Sequence, residues 1–110
     1  MTDDRAAIDR ICAEIAAERR RQVARWGRQD HPSVSPDSPE SPAVHAERAE
    51  AWKAVNDGRR AGEHSWDAIL LEEVYEALAE TDDVRRRAEL LQVAAVAAAE
   101  IEAIDWRLGR

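Results

Sequence analysis

The chain has 110 residues and a formal net charge of −7. That length implies one domain with a small core, because a chain of this size buries only about two-thirds of the surface its unfolded form exposes. The acidic balance argues against a nucleic-acid polymer as partner, since such surfaces are usually basic, yet it leaves room for a small anion bound through a metal. There is no Phe and one Tyr, and much of the apolar content is Ala, which buries little area per residue. Oligomerisation is therefore expected to complete the core. No apolar run approaches the ~18 residues of a membrane span, and "MTDDRAAIDR" lacks the basic-then-apolar order of a leader. The lone Cys12 has no partner for an internal disulfide, which points to a cytoplasmic, soluble protein with Cys12 as a small core residue.

The expected elements are all helices. The first starts near Thr2 or Asp3, with acids in its first turn, and runs to Trp26, where Gly27 ends it. Ile8, Ile11, Cys12 and Ile15 form its apolar stripe. Residues 31–42, "HPSVSPDSPESP", contain all four prolines and read as a loop, because proline at this density cannot continue a helix. A second helix is expected over Ala43–Asn56, closed by Gly58. A third follows from Trp66 to about Glu80, with Ser65 as N-cap. Thr81, Asp82 and Asp83 make the turn into a fourth, over Val84–Leu108. The reading is a single all-α domain over 1–110, a bundle of about four helices.

The fourth helix has the clearest pattern. Leu90, Ala94, Ala97, Ile101, Ile104 and Leu108 recur at spacings of 4, 3, 4, 3 and 4, the seam of a helical bundle. Ala95, Val96, Ala98, Ala99 and Ala103 make the helix apolar almost all round, as in a helix buried on more than one side.

The third helix has a different peculiarity. Seven carboxylates fall between Asp67 and Asp83 with no Lys or Arg among them, and Arg85, Arg86 and Arg87 then follow as a block. At helical periodicity Glu72, Glu73, Glu76 and Glu80 share an arc of about 100°. Ile69 falls inside that arc and Trp66 just beside it, so the acidic side is expected to be partly covered. A short turn makes the third and fourth helices antiparallel neighbours, pairing residues whose numbers sum to about 165. Glu76 then lies level with Glu89, and Glu73 with Gln92. Two readings follow. Exposed like charges at helical spacing cost only ~0.2–0.5 kcal/mol per pair, which a solvated acidic face tolerates. Partly buried at ~6 Å, each pair repels by roughly 3 kcal/mol at an effective dielectric of ~20, and the group then needs a cation or protons. An all-oxygen donor set without Cys or His selects a hard ion, Mg²⁺ or Mn²⁺.

"EEVYEAL", then "ELLQ" beginning thirteen residues after Glu76, resembles the EExxE…ExxD pattern of the MazG-like all-α nucleoside triphosphate pyrophosphohydrolases. The resemblance covers Trp66 to Trp106, about two-fifths of the chain, and extends weakly to "RRRQVARWGRQDHP". It implies a homodimeric or homotetrameric helical bundle that binds Mg²⁺ and hydrolyses an NTP or dNTP to a nucleoside monophosphate and pyrophosphate. It further implies Glu73, Glu76 and Glu89 as metal ligands, with Gln92 at the fourth ligand position and Glu72 and Glu73 as the acids of catalysis. Gln92 departs from the pattern, which has Asp there. An amide oxygen can bind a metal, but it carries no charge and cannot serve as a base. The alternative is a non-catalytic binding or regulatory module with a degenerate acidic site.

Further candidates concern the substrate. Arg85, with its neighbours, and Lys53, the only lysine, are candidates for phosphate contact; a solvated helix start is the plainer reading of the arginine block. Gln22 and Trp26 stand at i, i+4 with Gln29 beyond, an amide and an indole suited to pairing with and stacking on a base, although a Trp at a helix end also serves packing. His31, His45 and His64 show no metal-ligand spacing, and Trp52, Trp66 and Trp106 read as core or interface.

Overall fold

In a computed structural model that describes residues 4–37 and 40–110, with Asp4 described for its backbone alone, the chain forms four α-helices: α1 (Asp4–Trp26), α2 (Pro42–Asp57), α3 (Trp66–Ala79) and α4 (Asp83–Arg107). No strand occurs among the described residues, so the protein is all-α as the periodicities require. No described helix is long and apolar enough to cross a membrane. The expected start of the first helix at Thr2 or Asp3 lies outside the described residues. The chain groups into two compact units: one joins the chain up to His31 with Ala98–Arg110, and the other is Pro32–Ala97.

In the first unit, Ala7 and Ile11 of α1 are buried, at 2% and 1% exposure. Ile11 belongs to the expected stripe, and the rest of that stripe is corrected. Ile8 and Ile15 are 51% and 41% exposed, and Cys12 is exposed rather than in the core. Residues 7 and 11 stand one turn apart, so the covered face is narrow and centred on a small side chain that admits close approach. Ala7 and Arg10 share a cavity of about 470 Å³ with Ala99, Glu102, Ala103, Asp105, Trp106 and Arg110. Trp106, expected in the core or an interface, is 79% exposed in the single chain. Gly27 ends α1 as expected: its φ of 69° is left-handed, and its amide donates to the Val23 carbonyl at 2.7 Å.

The second unit is built on α2 against α3. Ser41 caps α2, its hydroxyl accepting from the Val44 amide at 3.3 Å, and Pro42 takes the first turn, where its missing N–H costs nothing. Near the start of α2, the buried His45 stacks on Tyr75 with ring centroids 6.0 Å apart, and the Arg48 guanidinium lies 5.6 Å from the same ring. Near its end, Asn56 reaches Ala68 and Glu72. Early α2 therefore meets late α3, and late α2 meets early α3: the two helices run antiparallel. Arg48 also grips both oxygens of Glu40, at 2.6 and 2.8 Å, which fixes the last residues of the proline-rich segment onto α2.

Ser65 occupies the N-cap position of α3 with extended dihedrals but makes no side-chain cap. Its hydroxyl instead accepts from Arg59 at 2.5 Å. A guanidinium is a stronger donor than a backbone amide, and it wins the oxygen. The corner between α3 and α4 is closed by side chains. Asp82 accepts from the Val84 amide at 2.9 Å. Arg86, its side chain only 14% exposed, donates to the Glu80 carbonyl beyond the end of α3.

No residue of α4 is buried. Of the expected seam, Leu90, Ala94, Ile101 and Leu108 are exposed, and Ala97 and Ile104 are partly covered. The helix that the sequence marks as buried on more than one side is thus open in the single chain.

Candidate metal centre

Local sequence explains why the acids of α3 are covered. Leu70, Leu71, Val74, Ala77 and Leu78 fix the apolar side of the helix, and Ile69 and Trp66 flank the acidic side. Every residue of α3 except Asp67 is buried or partly buried, including Glu72, Glu73 and Glu76. The expected partial cover of the acidic arc is present.

Glu72, Glu73 and Glu76 each offer a carboxylate oxygen, and these three atoms lie within 4.8 Å of one another. They come from a single turn of α3, at i, i+1 and i+4. Burial pushes the Glu76 carboxyl up from its ordinary 4.5 to about 7, and the charge of Glu73, a hydrogen bond with Glu72 and the charges of Glu72 and Glu89 push the same way. Burial raises Glu73 as well, helped by Glu72 and Glu89, while a hydrogen bond with Glu76 opposes the rise. The cluster is therefore crowded with negative charge and, by itself, holds protons at Glu76 near neutrality.

Glu89, on the facing turn of α4, is partly buried and close enough for its charge to act on both Glu73 and Glu76. It stands outside the group of three oxygens, so the tight triad is Glu72, Glu73 and Glu76, with Glu89 as the fourth acid. Gln92 is exposed on α4 and makes no hydrogen bond among the described residues.

The candidate substrate residues are placed as follows. Lys53, on α2, pairs with Asp57 at 2.8 Å; that hydrogen bond raises its affinity for its proton, and the charge of Glu72 adds to the effect. Arg85 is exposed at the start of α4, while Arg86 is engaged by Glu80 and by Asp83 at 3.0 Å. The arginine block thus includes one structural residue. Gln22, Trp26 and Gln29 belong to the other unit. There Gln22 accepts from Arg19 at 2.6 Å, Trp26 is 55% exposed with the Arg25 guanidinium 4.9 Å from its ring, and Gln29 is exposed. The 470 Å³ cavity also belongs to that unit, and none of the four acids lines it.

One participant escapes sequence reasoning. Asn56 donates its side-chain amide to the Ala68 carbonyl at 3.0 Å and to Glu72 Oε1 at 2.9 Å, joining α2 to the acid cluster. In sequence it reads only as the last residue of a helix. The eight residues between Asp57 and Trp66 do not set the register of α2 on α3, so no spacing rule points to it.

Three oxygens within 4.8 Å, all hard donors, suit a divalent cation of the Mg²⁺ or Mn²⁺ kind, whose charge would relieve the repulsion that raises Glu76. Exposed acidic groups are common without an ion, but these are partly covered and mutually coupled through hydrogen bonds and charge. Comparison with family models, with curated proteins and with solved structures returns no match to this chain.

Proposed function

We propose that this chain is a small Mg²⁺-dependent nucleoside triphosphate pyrophosphohydrolase, also served by Mn²⁺, that cleaves an NTP or dNTP to a nucleoside monophosphate and pyrophosphate. The observation that carries the reading is the convergence of Glu72, Glu73 and Glu76 within 4.8 Å, on the helix that bears the EExxE pattern. The resemblance to the MazG-like enzymes supplies the reaction, and the partial burial of the acids supports it. The same reading makes the protein a cytoplasmic homodimer or homotetramer, with α4 completing the bundle against another copy.

Glu73 and Glu76 would hold the cation, with Glu89 contributing charge from α4. A divalent ion held there would offset charge on the polyphosphate and make a water more acidic. Glu72, oriented through Oε1 by Asn56, accepts the proton of the attacking water. Glu76, which retains a proton near neutrality, would release it in favour of a cation held there. Lys53 and Arg85 are the candidates in the second unit for steadying phosphates.

A panel of NTPs and dNTPs with Mg²⁺, scored for pyrophosphate release, tests the reading. Release that disappears in Glu73→Gln supports it, and absence of release across the whole panel contradicts it. The exposed Gln92 favours a second reading, a nucleotide-binding module whose site no longer turns over. Activity that arises only in Gln92→Asp would select that second reading.

A further inference from the structure

We infer that Asn56 is a positioning residue for the acid cluster, whose carboxamide fixes Glu72 from the neighbouring helix and thereby sets the geometry in which the cluster takes a cation. This rests on the metal-centre reading above and assigns a part of that site to α2.

The orientation of the amide follows from its surroundings. Its nitrogen sits between two acceptors, the Ala68 carbonyl at 3.0 Å and Glu72 Oε1 at 2.9 Å. The flipped amide would turn its oxygen against both, so chemistry allows only one assignment. In that orientation Asn56 Oδ1 is buried without a hydrogen-bond partner. A buried carbonyl oxygen left unpaired is costly, and the position retains it while spending both N–H groups on α3.

Those two acceptors lie one helical turn apart on the same face of α3. The Ala68 bond anchors the amide to the backbone of α3 at a residue that is fully buried. The Glu72 bond then transmits that fixed point to a carboxylate which, left alone, would rotate away from Glu73 and Glu76 to escape their charge. Asn56 is neutral and donates only, so it steadies Glu72 without competing for a cation. Lys53, one turn earlier on α2, would neutralise Glu72 if it took that place, but it is held by Asp57. Outer partners of this kind commonly govern metal affinity at roughly the ten- to hundredfold level.

The test is a Mn²⁺ titration of the full chain, followed by calorimetry and carried into the millimolar range, on the natural protein, Asn56→Leu, Asn56→Ala, Glu72→Ala and the double variant Asn56→Leu/Glu72→Ala. Asn56→Ala removes the donors without adding charge or bulk between the helices, which guards against loss of folding in Asn56→Leu. Both single changes at Asn56 are expected to weaken Mn²⁺ about tenfold. In the Glu72→Ala background the same Asn56→Leu change is expected to cost less than about twofold, since its route to the metal is already gone. Equal losses in both backgrounds would show that Asn56 acts through the α2–α3 contact at large and would overturn the inference. So would unchanged affinity in Asn56→Leu and Asn56→Ala when the natural chain binds, and in that case the metal centre itself stands. If the natural chain binds no Mn²⁺, the metal centre and the inference fall together.

Discussion

Helices α3 and α4 have opposite relations between composition and burial. Most of the acids of α3 are partly covered, and only Asp67 of the whole helix is exposed. The Ala-rich, apolar α4 buries no residue at all, with Leu90 and Leu91 more than half exposed. Covered charge and uncovered hydrocarbon are both unfavourable. Carboxylates brought together are relieved by protons or by a positive charge, and apolar surface at bundle spacing is stabilised by removal from water.

The assembly half of that contrast gives the largest expected effect. Replacing Leu90 and Leu91 by Glu places charge on exposed positions, so within a single chain the cost is within about 0.5 kcal/mol. If copies pair through α4, the double variant is monomeric where the natural protein sediments as a dimer or tetramer. An unchanged sedimentation coefficient would leave the open seam of α4 without a partner.

The α3 half is read by pH. The Glu76 carboxyl is raised in the folded chain from 4.5 to about 7, chiefly by burial and then by Glu73 and Glu72. The folded state therefore binds a proton more tightly than the unfolded one. Its contribution is full below about pH 4.5 and is lost as pH rises through about 7. Without divalent ions the melting temperature is expected to fall between pH 5 and pH 8 through this group. Millimolar Mn²⁺ is expected to reverse the fall, with a larger gain at pH 8 than at pH 6, because protons and cation compete. A Glu76→Gln variant is expected to weaken both trends, leaving the share of Glu73. Equal stabilisation by Mn²⁺ at the two pH values would separate the ion from these acids.

The corner that joins the two helices yields a smaller effect. Arg86 satisfies the Glu80 carbonyl from a largely covered position. Its pairing with the Asp83 carboxylate, 95% exposed, adds little. Arg86→Ala is expected to cost about 2 kcal/mol in urea unfolding, the scale of a charge-assisted hydrogen bond. Arg85→Ala and Arg87→Ala, at exposed positions, are expected to stay within about 0.5 kcal/mol. The smallest effect is expected at Cys12, where the exposed side chain makes Cys12→Ser close to neutral.

Much of this contrast was legible from residues alone. The four helices follow from apolar periodicity and from the breaks at Gly27, the proline segment, Gly58 and Thr81–Asp83, because these are local properties of the chain. The acidic arc on α3 is likewise local, since positions 72, 73 and 76 share a face in any helix. Pairwise register was not legible. Asn56 on Glu72, and His45 and Arg48 on Tyr75, depend on how α2 lies along α3, and the connector from Gly58 to Ser65 fits several placements. The covered face of α1 was legible only at Ile11, for a related reason. Its isoleucines outweigh Ala7 in any hydrophobicity sum, yet the covered face is the one where alanine allows close approach.

The central claim is that Glu73 and Glu76 hold a divalent cation beside Glu72, and calorimetric titration of the natural chain with Mn²⁺ at pH 7.5 (roughly where Glu76 is ready to lose its proton) tests it most directly. The account predicts saturable binding with proton release, lost or strongly weakened in Glu76→Gln. Absence of binding by the natural chain, or equal binding by Glu76→Gln, would contradict it.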